Sequence, residues 1–294
     1  MGLSMDYTYT LSTLPKSVTS ALITIPWDII SAEYDVAFDK LSQELEVEGY
    51  RRGKAPKALA KKHIKQEKVY DKLVRILFTR LYEEIVKKED LKPIVAPRID
   101  IKTAKENEQW EVEMQIAQKP PVDLSTYKKA IETLKKSKKG DEIWTPGKDA
   151  SAADSSESAK KQQLLNEILG ILLKEIPFEV ADMVIEEEVE SRLTRLVDDV
   201  QKVGMTIEAY AKSKNTTIEE IRAQIQREVD EMYKLEFILN EIADAQNIQV
   251  EQAEMDALIG NAKDEKEKEA AAKNMYFYVM ILRKQKVLDY LLAL

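Results

Sequence analysis

The sequence contains no cysteine and a single histidine, His63. Disulfides and thiol catalysis are thereby excluded, and an intracellular home is expected. Serine–histidine chemistry would have to use His63, which sits in a run of cations and reads as a solvated side chain. Glycine is scarce, at eight in 294 residues. None builds a phosphate-cradling loop of the P-loop or dinucleotide kind, and no nucleophile elbow occurs. ATP-driven work is therefore not expected. Glu186, Glu187 and Glu188 are consecutive, so on a helix they spread around the axis instead of converging on a metal. No apolar run approaches a membrane span, and the N-terminus lacks the basic-then-apolar order of a signal peptide. Neither cofactor, metal nor membrane is expected. The chain reads as a binding protein and not as an enzyme.

What it does contain is charge. Hydrophobic residues make up 44% and charged residues 33% of the chain, a balance suited to long, solvated helices. The length suggests two domains. The net charge of −8 is unevenly placed: residues 1–120 hold 20 Lys/Arg against 19 Asp/Glu, and the remainder holds 25 against 34. Between Arg51 and Lys68 eight cations stand against one acid, Glu67. A solvated helix face is the ordinary reading of such a run. Its density also favours a polyanion, through summed charge and counterion release.

Residues 7–13 and 18–25 predict two strands joined by a turn at Leu14–Ser17. Asp28 is expected to cap a helix in which Ile30, Tyr34, Ala37, Phe38, Leu41 and Leu45 recur at helical spacing. That helix should stop near Glu48, because Gly49 offers the left-handed conformation that ends many helices. A short basic helix is expected from Lys57 to about Ile64. A longer one follows with Tyr70, Leu73, Leu77, Leu81 and Ile85 on one face. Residues 98–103 and 109–116 predict a strand pair. In its second member Trp110, Val112, Met114 and Ile116 alternate with polar residues, the pattern of a half-buried antiparallel strand. Strands at both ends of a segment, with helices between, make an α+β unit.

Residues 123–136 read as helical and 137–161 as a polar linker, in which Trp144 alone has much to bury. From Gln162 onward helices dominate. Ile185, Val189, Leu193, Leu196, Val200 and Val203 form one stripe, ended by Gly204. Thr217–Glu220 is a capping box, opening a stripe of Ile221, Ile225, Val229, Met232, Leu235, Leu239 and Ile242. A short helix fits 250–260, and a last one covers about 268–293.

The segment GYRRGKAP carries the most information. Gly49, Tyr50, Arg51, Arg52, Gly53, Lys54, Ala55 and Pro56 resemble, in order, the ribosome-docking signature of the trigger factor family. These are bacterial chaperones that meet nascent chains at the tunnel exit. Tyr50 stands where most relatives have Phe, and Arg52 where many have Lys; an aromatic ring and two cations are kept. The motif falls between helices of a strand–strand–helix–helix–helix–strand–strand unit similar to the family's N-terminal domain. Residues 176–193, IPFEVADMVIEEEVESRL, also resemble the family's entry into its helical domain. One departure is large. Typical relatives carry a prolyl-isomerase domain after the first linker, whereas here only a short polar segment intervenes, too small to bury a core of its own.

The resemblance implies an α+β ribosome-binding domain over 1–118, antiparallel strands with long helices. The linker and first helix of the second domain would occupy 119–136. A polar flexible segment at 137–161 would replace the isomerase domain. A mostly α-helical chaperone domain with arm-like hairpins would fill 162–294. It implies an ATP-independent holdase without isomerase activity. Gly49, Tyr50, Arg51, Arg52, Gly53, Lys54 and Pro56 would dock on an exit-site protein and ribosomal RNA. Pro56 would lie in the first turn of the following helix, and Tyr50 would anchor the tip, its alternative being a core tyrosine over the helix junction. Unfolded or nascent chains would be held by adaptable apolar surface: Met275, Phe277, Val279 and Met280, with Met232 and Met205. Apolar surface on both arms makes a homodimer a further expectation. Two other classes remain: an RNA-binding or ribosome-assembly adaptor without client binding, and a residual prolyl isomerase.

Overall fold

The computed structural model describes residues 7–141, 153–251, 253–255 and 274–294. The chain divides into two compact units. One runs up to Lys119 and includes Ala181–Val184; the other comprises Pro120–Val180 and Ile185–Leu294.

The first unit is a four-stranded antiparallel sheet with helices on one face. Its strands are β1 (Thr8–Leu14), β2 (Val18–Ile25), β3 (Arg98–Thr103) and β4 (Trp110–Ala117), in the order β1-β2-β4-β3. The helices are α1 (Trp27–Glu44), α2 (Lys57–His63) and α3 (Gln66–Lys88). Register follows the hydrophobic alternation, because a slip of one residue would turn every apolar side chain to water. Ala21 pairs with Met114, Ile23 with Val112 and Ile25 with Trp110. These six pack with Ile30, Ala37 and Phe38 of α1 and with Val69, Leu73, Leu77, Leu81 and Ile85 of α3. An Arg80–Glu33 ion pair at 2.5 Å also links α3 to α1.

Two expectations at α1 are corrected. Asp28 does not cap the helix. It lies in the first turn, one residue beyond Trp27, and Pro26 takes the cap in extended conformation (φ −60°, ψ 150°). Proline's fixed φ sets the entry, while Asp28 still favours the positive helix end. The helix also stops at Glu44 and not near Glu48. Leu45 turns to φ −73°, ψ 131°, packs against the core, and its carbonyl accepts from Gly53 N–H at 3.0 Å.

On the other sheet face Glu113 accepts from Ser20 Oγ at 2.7 Å and pairs with Lys102 Nζ at 2.9 Å. The Lys102 ammonium, then the Ser20 hydroxyl, hold the Glu113 carboxyl below its ordinary value of 4.5. A carboxyl depressed by folding stabilises above its unfolded pKa, and that contribution disappears as pH falls through the folded value. Glu113→Gln should therefore lower Tm by about 1–2 °C at neutral pH. The gap should close as pH drops below about 4, measured by thermal denaturation across pH. A gap independent of pH would contradict this assignment.

The second unit contains α4 (Tyr127–Asp141), α5 (Ala153–Glu175), α6 (Asp182–Lys202) from Ile185 onward, α7 (Ile207–Ser213), α8 (Ile218–Ala245) and α9 (Met275–Ala293). Its core joins Tyr127 and Ile131 of α4 with Ile168 and Leu172 of α5. Ile238, Leu239 and Ile242 of α8 and Val287 and Leu291 of α9 complete it. Lys135 Nζ donates to the carbonyls of Leu291 and Leu292 at 3.2 and 2.7 Å, satisfying acceptors that the end of α9 leaves open. The Thr217–Glu220 capping box is present in both directions. Val203 departs from the predicted α6 stripe: it lies just past the helix, which ends at Lys202, and is 71% exposed, next to Gly204, whose φ of +76° turns the chain.

The polar segment expected at 137–161 is helical at both ends, since α4 continues to Asp141 and α5 begins at Ala153. Trp144 and most of the helix expected at 250–260 lie outside the described residues, as does the predicted start of the last helix before Asn274.

Candidate functional site

The connection from α1 to α2 is built by its backbone. Tyr50 N–H donates to Val47 C=O at 3.0 Å, and Lys54 N–H to Arg51 C=O at 2.9 Å. Two successive reverse turns result, braced at the base by the Gly53–Leu45 bond. Gly49 (φ +85°) and Gly53 (φ +71°) occupy left-handed backbone that costs other L-residues about 1–2 kcal/mol. Only Gly53 has a second constraint. A Cβ there would lie 2.5 Å from the Gln43 carbonyl oxygen in the last turn of α1, whereas one on Gly49 would meet nothing within 4 Å. Gly53→Ala should accordingly destabilise the fold more than Gly49→Ala, by roughly a further 1–2 kcal/mol of unfolding free energy, read from thermal or urea denaturation. Equal losses would mean that the return strand does not press on α1.

Pro56 is not in the first turn of α2. It is the capping residue (φ −55°, ψ 142°), and its carbonyl accepts from Ala60 N–H at 3.0 Å. Proline cannot donate, so nothing is lost by ending the loop there.

The side chains that these turns carry face water. Tyr50 is 48% exposed, which removes the alternative of a core tyrosine. Arg51 and Lys54 are exposed and make no ion pair among the described residues. Arg52 Nε lies 3.9 Å from Glu46 Oε1, with both side chains mostly exposed. Lys57 is different: Asp39 pairs with it at 2.7 Å and holds its ammonium above the usual lysine range. His63, at the end of α2, is exposed. Among the described residues no group of three His, Cys, Asp or Glu side chains could hold a metal ion. The loop thus presents a ring, three cations and no reactive group.

The predicted apolar residues of the second unit separate by exposure. Met275 and Phe277 are exposed, Phe277 to 60%; Val279 and Met280 are half-buried. Met232 and Met205 are exposed, and Met232 Sδ accepts from Arg192 Nη2 at 2.9 Å. Two further exposed apolar side chains lie in the same stretch, Tyr276, 79% exposed, and Ile281. Asn274–Leu282 is apolar at nearly every position, so whichever face packs, the opposite one is left bare; that was the available signal. A groove of about 330 Å³ lined by Leu173, Ile176, Pro177 and Phe178 was also not foreseen. Phe178 there meets Phe237 edge-on at 6.3 Å, and Tyr233 stacks on Phe237 at 6.5 Å. Tyr233 and Phe237 are one helical turn apart on α8, and the fold brings the distant Phe178 to them.

Comparison with known proteins covers both units. Residues 7–142 match the family described as bacterial trigger factor protein, and residues 151–293 match the C-terminus of the same family. A trigger factor of Lactiplantibacillus plantarum is 30% identical over 84 residues, 29% of this chain and 19% of that protein. Trigger factors of Streptococcus sanguinis and Streptococcus pneumoniae are 24% and 26% identical over 147 residues, half of this chain and 32% of each relative. The chain thus spans less than a third of these relatives' length. A solved trigger factor chaperone, described for promiscuous substrate recognition in folding and assembly, aligns with a TM-score of 0.62 at 13% identity. It covers 97% of this chain and 99% of its own, which shows a common fold.

Proposed function

This chain belongs to the bacterial trigger factor family, and from that membership we propose that it is a cytoplasmic, ATP-independent chaperone. It docks at the ribosomal tunnel exit through the Gly49–Pro56 loop and shelters unfolded or nascent chains on its helical unit. The observation that carries this is the loop itself. Tyr50, Arg51 and Lys54 are exposed on a loop shaped by backbone turns, and Arg51 and Lys54 make no ion pair among the described residues. An aromatic ring beside arginines is the composition of a binding hot spot, and the cations suit an exit-site protein and RNA phosphates. Clients are held by Met275, Phe277, Val279 and Met280, together with Tyr276, Ile281, Met232 and Met205. Helix-borne apolar surface of this kind also offers a contact for a second copy of the chain.

Prolyl-isomerase activity is absent on this reading. Residues 143–150 alone separate the two family matches, and so short a stretch cannot bury a domain core. The test joins three assays on the purified chain: co-sedimentation with ribosomes, suppression of aggregation of an unrelated denatured protein without ATP, and a proline-limited refolding reaction. Binding and suppression are expected, with no acceleration of refolding. Ribosome binding without suppression would instead favour the adaptor reading, and a catalytic refolding rate would refute the absence of isomerase.

A further inference from the structure

The mix of charges divides the basic segment into two chemically different parts. At the loop tip, Arg51, Arg52 and Lys54 stand beside Glu46 and Glu48, and Arg52 leans towards Glu46. Opposite charges are mixed there, around an exposed ring. Along α2 and the start of α3 the situation changes. Lys57 and Lys72 are each neutralised by an acid of α1, Asp39 at 2.7 Å and Glu44 at 3.7 Å. Between them Lys61, Lys62, Lys65 and Lys68 are all exposed and make no ion pair among the described residues. Ala60 and Val69 beside them are buried, so this stretch is anchored to the core while its lysines stay in solvent.

The fold gains nothing from two of these lysines. Lys65 is the capping residue of α3 and its side chain makes no capping bond, where Ser, Thr, Asp or Asn would stabilise the helix. Lys68 lies in the first turn, beside the positive end of the helix dipole. A sequence that sets cations against its own helix marks a requirement other than folding.

We propose that Lys61, Lys62, Lys65 and Lys68 form a phosphate-binding surface for structured RNA, and that these four lysines, more than the loop tip, carry the salt-dependent part of docking. This rests on the docking reading above only for the identity of the RNA. Each phosphate neutralised releases counterion and adds about 0.7–0.9 to the slope of log affinity against log salt. The tip, where Glu46 and Glu48 offset part of the charge beside an exposed ring, adds less to this slope than the four lysines do.

The experiment uses the full chain and two probes, a double-stranded RNA oligomer followed by fluorescence anisotropy and purified ribosomes followed by pelleting, across a salt series. Changing the four lysines together to Gln, a tolerated helix residue, should lower the salt slope by about 3 and abolish binding to the oligomer. Tyr50→Ala should weaken ribosome binding at every salt concentration with the slope unchanged. Lys65→Ser should weaken oligomer binding while raising Tm by about 2 °C, which separates lost binding from lost folding. An unchanged slope and unchanged oligomer affinity in the Gln variant overturn the proposal. Lysine-dependent oligomer binding by a parent chain that fails to pellet with ribosomes upholds the face and refutes the docking reading.

Discussion

Replacing Tyr50, Arg51 and Arg52 together by alanine is expected to reduce ribosome affinity by at least about 100-fold, the loss of roughly 3 kcal/mol at a hot spot. Helical content and Tm should stay at parental values. The loop is shaped by backbone bonds from Tyr50, Gly53 and Lys54 and by two glycines, none of which requires the three side chains. Arg51 makes no ion pair among the described residues, and the Arg52–Glu46 contact at 3.9 Å between exposed groups contributes little. Co-sedimentation at fixed salt reads the loss directly. A variant that pellets as well as the parent would deny the loop its role.

The second large effect concerns the helical unit. Changing Met275, Tyr276, Phe277 and Ile281 together to serine should remove most of the suppression of aggregation and leave ribosome binding intact. These residues lie in the N-terminal part of α9, which is fastened elsewhere. Val287 and Leu291 are buried in the core. Lys284–Glu236 and Arg283–Asp244, both at 2.6 Å, join α9 to α8. Removing exposed apolar surface should therefore spare the fold and improve solubility. Light scattering of a denatured test protein measures the effect. Full retention of activity would move the client surface elsewhere, the groove beside Phe178 being the next candidate.

The two units differ in how far they could be read beforehand. The alternation from Trp110 to Ile116 and the α3 stripe gave the correct faces, because each pattern matches the period of the element that buries it. The capping box at Thr217 was legible for a similarly local reason: its partners are three residues apart. Elements whose boundaries depend on distant partners were less legible. α1 ends at Glu44 because Leu45 is drawn into the core and bonded by Gly53, a contact no local rule supplies. The sheet order places β4 between β2 and β3, so Ala21 meets Met114 across the whole domain. Gly49 and Gly53 looked equivalent in sequence, yet only Gly53 lies against the Gln43 carbonyl. Exposure was the least legible quantity. Val203 and Tyr276 both sat in apolar stretches, and both are bare because their helices end or begin there.

The central claim is that residue 50 touches the ribosome at the tunnel exit. Replacing Tyr50 by a photo-crosslinking phenylalanine analogue in the full chain, binding it to purified ribosomes and irradiating places that contact within a few ångströms. The account predicts crosslinks confined to protein and RNA around the tunnel exit, suppressed by excess unlabelled parent. Crosslinks spread over the ribosome, or competing poorly with the parent, would contradict it.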